Sequence, residues 1–416
     1  MVGPFLPESE KVAAIRAALP ATGAGIYLNA GTCGPMTVEG LRAMRELEAR
    51  EERVGRADFE YFQEFLERAD EARAVLGAVV GAGPEAIALT AGATGGLNIA
   101  SWAPAWEPGD EAVTTDQEHP GGLAPLLALR DRFAIRVRLV EAGPAIEEDG
   151  LLEGLAAAIT PRTRLVSVSH VLWTTGAVLP VERIAALARQ VGAWTVIDGA
   201  QAAGIVPLDV AALGADFYAI SGQKWLLGPE GSGALWAGPR AIAEALPFQA
   251  GYFGYEHLDG RGEGARWPTA RRFESVTYHR PSVVGLARSV SWLEMYVGLA
   301  WAHERAARLA RLAAAGLAAI PGLTLLTPRD RMAGLISFRV DGWTAEELRV
   351  TLGRRVFAIT RTIPDLDALR ISVGWYNSEA ELERFVEAVS ELARHTPSTL
   401  PERPGLVIVP SRSELT

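Results

Sequence analysis

The feature that most constrains this chain is a change of texture at residue 87. From there to residue 236, short apolar runs alternate with longer amphipathic stretches. Seven runs read as strands: 87–90, 111–115, 135–140, 164–169, 194–198, 216–220 and 233–236. Helical patterns lie between several of them, for example over 181–191. Neighbouring parallel strands need a crossover about the length of a helix, so this alternation predicts an α/β fold with a mainly parallel seven-stranded sheet. In such sheets ligands bind beyond the carboxyl ends of the strands. Asp198 ends one run and Ser221 to Lys224 follow another, so the chemistry-bearing residues fall at that edge.

The flanks have other textures. Over 38–80, Leu41, Met44 and Leu47, then Phe62, Phe65 and Leu66, recur at helical spacing among many charges. Such charges mark a solvated helix face. Gly55 is expected to divide this stretch in two. Residues 254–281 are rich in Gly and charge and read as an irregular excursion. A long helix is expected over 283–318. A smaller α/β unit should follow, with strands at 335–340 and 369–373 and helices at 345–352 and 378–392. The tail after His395 holds four prolines and is a poor helix former.

A chain of 416 residues is too long for one small core, so two domains are the natural expectation. The formal net charge of −10 argues against nucleic acid or an anionic membrane as the main partner. A single cysteine, Cys33, excludes an intrachain disulfide framework. The first twenty residues carry Glu8, Glu10, Lys11 and Arg16, which is unlike a signal peptide. No uncharged stretch approaches the ~20 residues of a membrane span. A cytoplasmic protein is expected. The six histidines show no paired spacing of the kind that binds zinc.

Four segments carry chemistry. Lys224 stands in Ser221-Gly222-Gln223-Lys224-Trp225-Leu226-Leu227-Gly228-Pro229. A lysine among apolar residues tends to lose its proton, and a neutral amine can condense with an aldehyde. Asp198 ends Trp194-Thr195-Val196-Ile197-Asp198 and is followed by Gly199. A carboxylate there can reach into a cleft and hold a proton on a ring nitrogen. Thr90-Ala91-Gly92-Ala93-Thr94-Gly95-Gly96 lies between a strand and a helix, where free backbone donors can cradle a phosphate. His119, in Glu118-His119-Pro120, can lay its imidazole on a flat ring. Each segment alone has a plainer reading. Lys224 could be a strand-end lysine, Asp198 and the Gly-rich stretch ordinary turns, and His119 a structural histidine. In combination they are far more specific.

Together they resemble the class V aminotransferase family, the cysteine desulfurase-like branch of fold-type-I pyridoxal 5'-phosphate (PLP) enzymes. Three linked stretches carry the resemblance. They are Ser169-His170 with Thr175-Gly176-Ala177-Val178-Leu179-Pro180, then Asp198-Gly199-Ala200-Gln201-Ala202-Ala203-Gly204, then Ser221 to Gly233. It extends from about Tyr27 to Leu392. The resemblance implies PLP as cofactor, held as a Schiff base on Lys224. Asp198 would pair with the pyridine nitrogen, Gln201 would bond the phenolate oxygen and His119 would stack on the ring. Ala93, Thr94, Gly95, Ser221 and Gln223 would hold the phosphate. Thr277 would reach the phosphate of a neighbouring subunit, which implies a homodimer with shared active sites. Arg370 would clamp the carboxylate of a small amino-acid substrate, with Arg361, Trp173 and Ala30 as further substrate contacts. The expected division is an N-terminal segment 1–20 packing with the small domain, a large PLP-binding domain 21–285, a small C-terminal domain 286–395 and a Pro-rich tail 396–416.

Departures from the family pattern bear on the reaction. Cysteine desulfurases carry a mobile cysteine in the C-terminal half, and this chain has none after Cys33. Cys33, in Asn29-Ala30-Gly31-Thr32-Cys33-Gly34-Pro35, is expected to be a small packed residue. Gln223 replaces the His usual before the lysine. Trp173 stands where many members carry Asn or Ser. The run His170-Val171-Leu172-Trp173-Thr174-Thr175-Gly176 and Arg361-Thr362-Ile363-Pro364-Asp365 look most like cyst(e)ine C–S lyase. The expected activity is therefore β-elimination on cysteine- or cystine-like amino acids without a persulfide cysteine. The alternatives are a class V aminotransferase or an isopenicillin N epimerase-like amino-acid epimerase.

Overall fold

The computed structural model describes residues 6–144, 147–275 and 277–401. The larger of its two main sheets has seven strands. They are β1 (Ile87–Thr90), β2 (Glu111–Thr115), β3 (Arg136–Val140), β4 (Thr163–Ser169), β5 (Trp194–Asp198), β6 (Phe217–Ser221) and β7 (Gly233–Ala237). Their order across the sheet is β1-β7-β6-β5-β4-β2-β3. The β2–β3, β2–β4, β4–β5 and β5–β6 pairs are parallel, and β7 runs antiparallel to both its neighbours. Strands β5, β6 and β7 are buried along their whole length. Helices cover both faces, so these strands read as continuous apolar runs rather than alternating ones. The mainly parallel seven-stranded sheet is thus present, with strand ends within a residue of those expected.

The second sheet has β8 (Leu323–Leu325), β9 (Leu335–Val340), β10 (Arg361–Ile363) and β11 (Ala368–Ser372), in the order β8-β9-β11-β10 and antiparallel throughout. Helices Leu299–Ala318, Ala345–Val356 and Glu379–Leu392 pack on it around Leu309, Phe338, Leu352 and Phe385. The last two begin with capping boxes, Thr344 with Glu347 and Ser378 with Glu381. Each such cap typically contributes about 1 kcal/mol.

The N-terminal chain is tied to the small sheet and its helices. Arg16 makes two bonds to Glu381, at 2.8 and 2.9 Å, and Glu8 pairs with Arg305. Ile26–Tyr27 pairs in parallel with Ala358–Ile359, and the Ser372 N–H donates to Leu28 O at 2.8 Å. Ile26 and Leu28 therefore pack in the small core, beyond the boundary expected at residue 21.

Two local expectations need correction. The helix expected over 283–318 is two helices, Arg280–Trp292 and Leu299–Ala318, separated by a π turn at Leu293–Val297 and by Gly298 at φ 84°. That backbone conformation favours glycine, and it stops the first helix despite unbroken apolar periodicity. The excursion at 254–281 contains an antiparallel hairpin, Tyr255–Leu258 with Gly264–Arg266. Gly55 does divide the 38–80 stretch, capping helix Val38–Val54 at φ 80° before helix Phe59–Val80 begins. The tail beyond residue 401 lies outside the described residues. Among the described residues no helix is long and apolar enough to cross a membrane.

Candidate active site

The carboxyl ends of β1, β4, β5 and β6 open on a cavity of about 250 Å³. Ala93, Thr94, His119, Trp173, Asp198, Gln201, Ser221, Gln223, Lys224, Arg361 and Arg370 all line it, together with Gly31, Thr32, Ala91, Gly92 and Ala200. Segments far apart in sequence meet there because the parallel strands end on one edge of the sheet.

Lys224 follows β6 in a loop closed by the Gly228 N–H donating to Gly222 O at 2.9 Å. Leu227, in the same loop, takes φ 57°, a conformation that costs a branched residue energy and that the loop imposes. Burial pulls the Lys224 ammonium down to about 8, Asp198 holding it up and Arg370 and Arg361 pushing it further down. The amine is thus poised near neutrality. The Asn29–Pro35 turn packs on this loop. A Cβ on Gly34 would lie 2.2 Å from the Lys224 carbonyl oxygen, so only glycine allows the approach.

Asp198 is buried, and its Oδ1 accepts from the Ala200 N–H at 2.9 Å. Among the described residues it forms no ion pair with an arginine or lysine. A buried carboxylate without a cation calls for one, and a protonated ring nitrogen is such a cation. The imidazole of His119 accepts the Gly121 N–H at Nδ1, 3.0 Å, which leaves its proton on Nε2. Burial lowers its pKa and keeps it neutral, suited to lie on a flat ring. Trp173 meets it edge-on, with centroids 5.2 Å apart and planes at 82°.

At the phosphate end, Gly92 at φ 132° turns the chain from β1 into helix Ala93–Ser101, whose first N–H groups open toward the cavity. A Cβ on Gly121, the second residue of helix Pro120–Phe133, would fall 2.5 Å from the Thr94 hydroxyl and push it aside. Gln201 already donates to Gly31 O (2.8 Å) and accepts from Trp225 Nε1 (3.1 Å), leaving one amide N–H for a ligand.

The small sheet supplies the remaining wall. Arg361 and Arg370 are register partners on β10 and β11, so two guanidinium groups stand side by side. Arg370 is 1% exposed, donates from Nη1 to Trp173 O at 2.8 Å and leaves Nε and Nη2 without an acceptor. Burial and Arg361 draw it down to about 9, still cationic at neutral pH. Arg361 Nη1 donates to the Thr32 hydroxyl at 3.1 Å.

Three expected site residues fall outside the cavity lining. Ala30 is fully buried behind Gly31. Gly95 sits one residue deeper in the helix than Thr94. Thr277 is exposed, its hydroxyl 3.2 Å from the Tyr252 hydroxyl. The segment before Thr277 is anchored by Glu274, which takes two bonds from Arg73 and one from the Leu89 N–H. Cys33 is only partly buried. Its Sγ lies 3.5 Å from Glu230 Oε1 and 4.0 Å from Gln223 Nε2, and burial and Glu230 raise its pKa. It is thus less enclosed than a packing role suggests and sits beside the lysine loop. The sequence reading missed Gly31 and Thr32 as lining residues. The Gly34-Pro35 turn was the available signal.

The family described as aminotransferase class-V matches residues 26–385. A probable cysteine desulfurase of Pseudomonas aeruginosa is 34% identical over 74% of this chain and 78% of its own length. The isopenicillin N epimerase of Amycolatopsis lactamdurans is 33% identical over 88% of this chain and 95% of its own. The solved structure of the cystine C–S lyase C-DES with its reaction product cysteine persulfide superposes with a TM-score of 0.84. It is 28% identical and covers 91% of this chain and all of that one. A lysine-to-alanine variant of C-DES, with glycine covalently linked to PLP, matches at the same TM-score. The cavity's unpaired carboxylate, near-neutral lysine and helix-start donors suit that cofactor. The chain belongs to the class V aminotransferase family of fold-type-I enzymes, and its cofactor is pyridoxal 5'-phosphate.

Proposed function

We propose that the chain is a C–S lyase, performing β-elimination on cysteine- or cystine-like amino acids. The observation that carries this reading is the position of its single cysteine. Cys33 stands beside Glu230 on the large-sheet side, with its thiol pKa raised, and no cysteine exists on the small sheet to take up sulfur. Sulfur leaving the substrate then departs with the product. The similarity to C-DES supports the same reading.

Bound PLP supplies the electron sink that acidifies the Cα–H bond and lets a β-substituent leave. The protein's part is positioning and proton transfer. Lys224 is the site of cofactor attachment and the base that takes the Cα proton. In the cofactor-free site burial lowers its pKa to about 8, so that free amine is available near neutral pH to attach the cofactor. Asp198 would hold a proton on the ring nitrogen, and the neutral His119 would lie against the ring. Ala93, Thr94, Ser221 and Gln223, which line the cavity, would hold the phosphate, and Gln201 would bond the phenolate oxygen. Arg370 binds the substrate carboxylate through its two free N–H groups, with Arg361 and Trp173 bounding the side chain. The β-sulfur leaves as thiolate from cysteine or as persulfide from cystine, and the carbon skeleton hydrolyses to pyruvate and ammonia. Thr277 completes the phosphate site of a second copy in a cytoplasmic homodimer.

The second reading is epimerisation or transamination by the same residues, favoured by the 33% identity to isopenicillin N epimerase. The readings differ in where the proton from Cα returns. The test is a product screen of PLP-loaded protein against a panel of amino acids, scored for pyruvate, sulfide or persulfide, and racemisation. Pyruvate formed in step with sulfur release from cystine or cysteine supports elimination. Racemised or transaminated product formed with the β-sulfur retained and without pyruvate overturns it.

A further inference from the structure

A second acid stands beside the cofactor site. Glu118 does not line the cavity, yet its carboxyl group is bound from two strands. Its Oε1 accepts from the Thr115 hydroxyl (2.7 Å) and the Ser169 N–H (3.1 Å), and its Oε2 from the Ser169 hydroxyl (2.5 Å). Thr115 is the last residue of β2 and Ser169 the last of β4, which are neighbours in the sheet. Ser169 is the register partner of Asp198, and the His170 N–H donates to the Asp198 carbonyl at 2.9 Å. Glu118 is also joined directly to His119, the cap of helix Pro120–Phe133. One side chain thus touches the framework of both the ring-nitrogen carboxylate and the stacking imidazole.

The groups bonded to Glu118 include no cation, and Lys224, which interacts with both His119 and Asp198, makes no ion pair with it. On its own loop stand Asp116, whose Oδ1 accepts the Ala142 N–H, and the neutral His119. From the end of β5 comes Asp198. After β4 comes His170, kept neutral by burial, with Nδ1 2.9 Å from the Tyr218 hydroxyl. Among the described residues Glu118 makes no ion pair. Burial, with Asp198 adding, raises its carboxyl group to about 7 although three donors favour the charged form.

We propose that Glu118 is a positioning residue for the cofactor: it laces the ends of β2 and β4 beneath His119 and, when ionised, reinforces the negative charge that Asp198 presents to the ring nitrogen. Asp198 faces the cavity and makes the direct contact, and Glu118 acts through it. A negative charge placed there favours protonated cofactor, so its loss must ease deprotonation.

The test uses PLP-loaded protein without substrate, so it stands apart from the reaction proposed above. The visible absorption band of the cofactor on Lys224 is titrated with pH in wild type, Glu118→Gln and Ser169→Ala. Glu118→Gln keeps the size and an acceptor oxygen but removes the charge. Its midpoint should move down on the order of one pH unit. Ser169→Ala removes one donor from the charged form, makes ionisation harder and should move the midpoint the same way by less. A Glu118→Gln midpoint equal to wild type overturns the proposal. If that variant does not fold, a Ser169→Ala midpoint equal to wild type overturns it instead.

Discussion

The two walls of the cavity are built on different principles. The large-sheet wall takes its residues from strand ends and helix starts whose backbones are locked in a buried parallel sheet. Asp198, His119 and Gln201 each have a protein partner that fixes their orientation. The small-sheet wall offers two arginines side by side, and the buried one has two N–H groups without an acceptor. An unsatisfied buried guanidinium is costly, and such cost is repaid when a ligand arrives. The side chains of one wall are oriented by protein partners before binding, whereas the buried arginine of the other gains acceptors only from a ligand. The first suits a resident cofactor, the second a transient anion.

Removing the lysine of the large wall should have the largest effect. Lys224→Ala is expected to lower turnover on the order of a thousandfold or more. Borohydride should fix the cofactor to wild-type Lys224 and to no residue of the variant, read by peptide mass. Fixation on another lysine would break the assignment of the large wall.

Arg370→Lys tests the small wall alone. Lysine keeps the charge but loses the planar two-donor fork. Losing one charge-assisted bond costs roughly 1.5–3 kcal/mol, on the order of tenfold to a hundredfold in kcat/KM. The loss should be equal for every amino acid accepted, since all share the carboxylate. The cofactor's absorption without substrate should not change. A lost cofactor band would show that the two walls are not separable.

The third prediction concerns pH. The folded value of Lys224, about 8, lies below the ordinary 10.5, so the free amine appears as pH rises through 8. The rate at which apo-protein takes up PLP should rise about tenfold between pH 7 and 9.5 and then level. Between about 8 and 10.5 the unfolded chain binds more protons than the folded one. Lys224 therefore adds stability to the apo-protein as pH rises across that window. An uptake rate that climbs only near pH 10 would mean that Lys224 is not desolvated.

The contrast between the walls also explains what could be read from sequence. Asp198 and Lys224 follow strands whose apolar runs are continuous, so strand, edge and side chain were located together. Arg361 and Arg370 were found only through likeness to a family, because short strands such as Arg361–Ile363 carry no period to read. The hairpin at 255–266 was missed for a related reason: its strands are mostly exposed, with no apolar face. Gly298 broke an expected helix because one glycine at positive φ outweighs the surrounding periodicity. Glu118 stood in plain view beside His119, but its partners Thr115 and Ser169 lie 3 and 51 positions away, and only the sheet brings them together.

The smallest expected effect belongs to Cys33→Ala, and it sharpens the comparison most. Cys33 sits where the N-terminal turn meets the lysine loop, with Sγ 3.5 Å from Glu230 and 4.0 Å from Gln223. Position alone makes it a candidate sulfur acceptor. Burial and the Glu230 carboxylate, however, raise its pKa, and the thiolate is the form that attacks sulfur. A relay thiol also has to travel between substrate and acceptor, whereas Cys33 is held through both of its peptide neighbours. Its N–H donates to Asn29 O, its carbonyl accepts from the Tyr27 hydroxyl, and the next N–H, of Gly34, bonds Gln223 O at 2.8 Å. Alanine keeps all of these backbone bonds and loses one partly exposed sulfur, a change of about 1 kcal/mol or less. Turnover with cystine or cysteine should stay within about threefold of wild type, measured beside the thermal midpoint. A hundredfold loss at unchanged stability would move the sulfur chemistry onto the large wall and replace elimination by persulfide transfer.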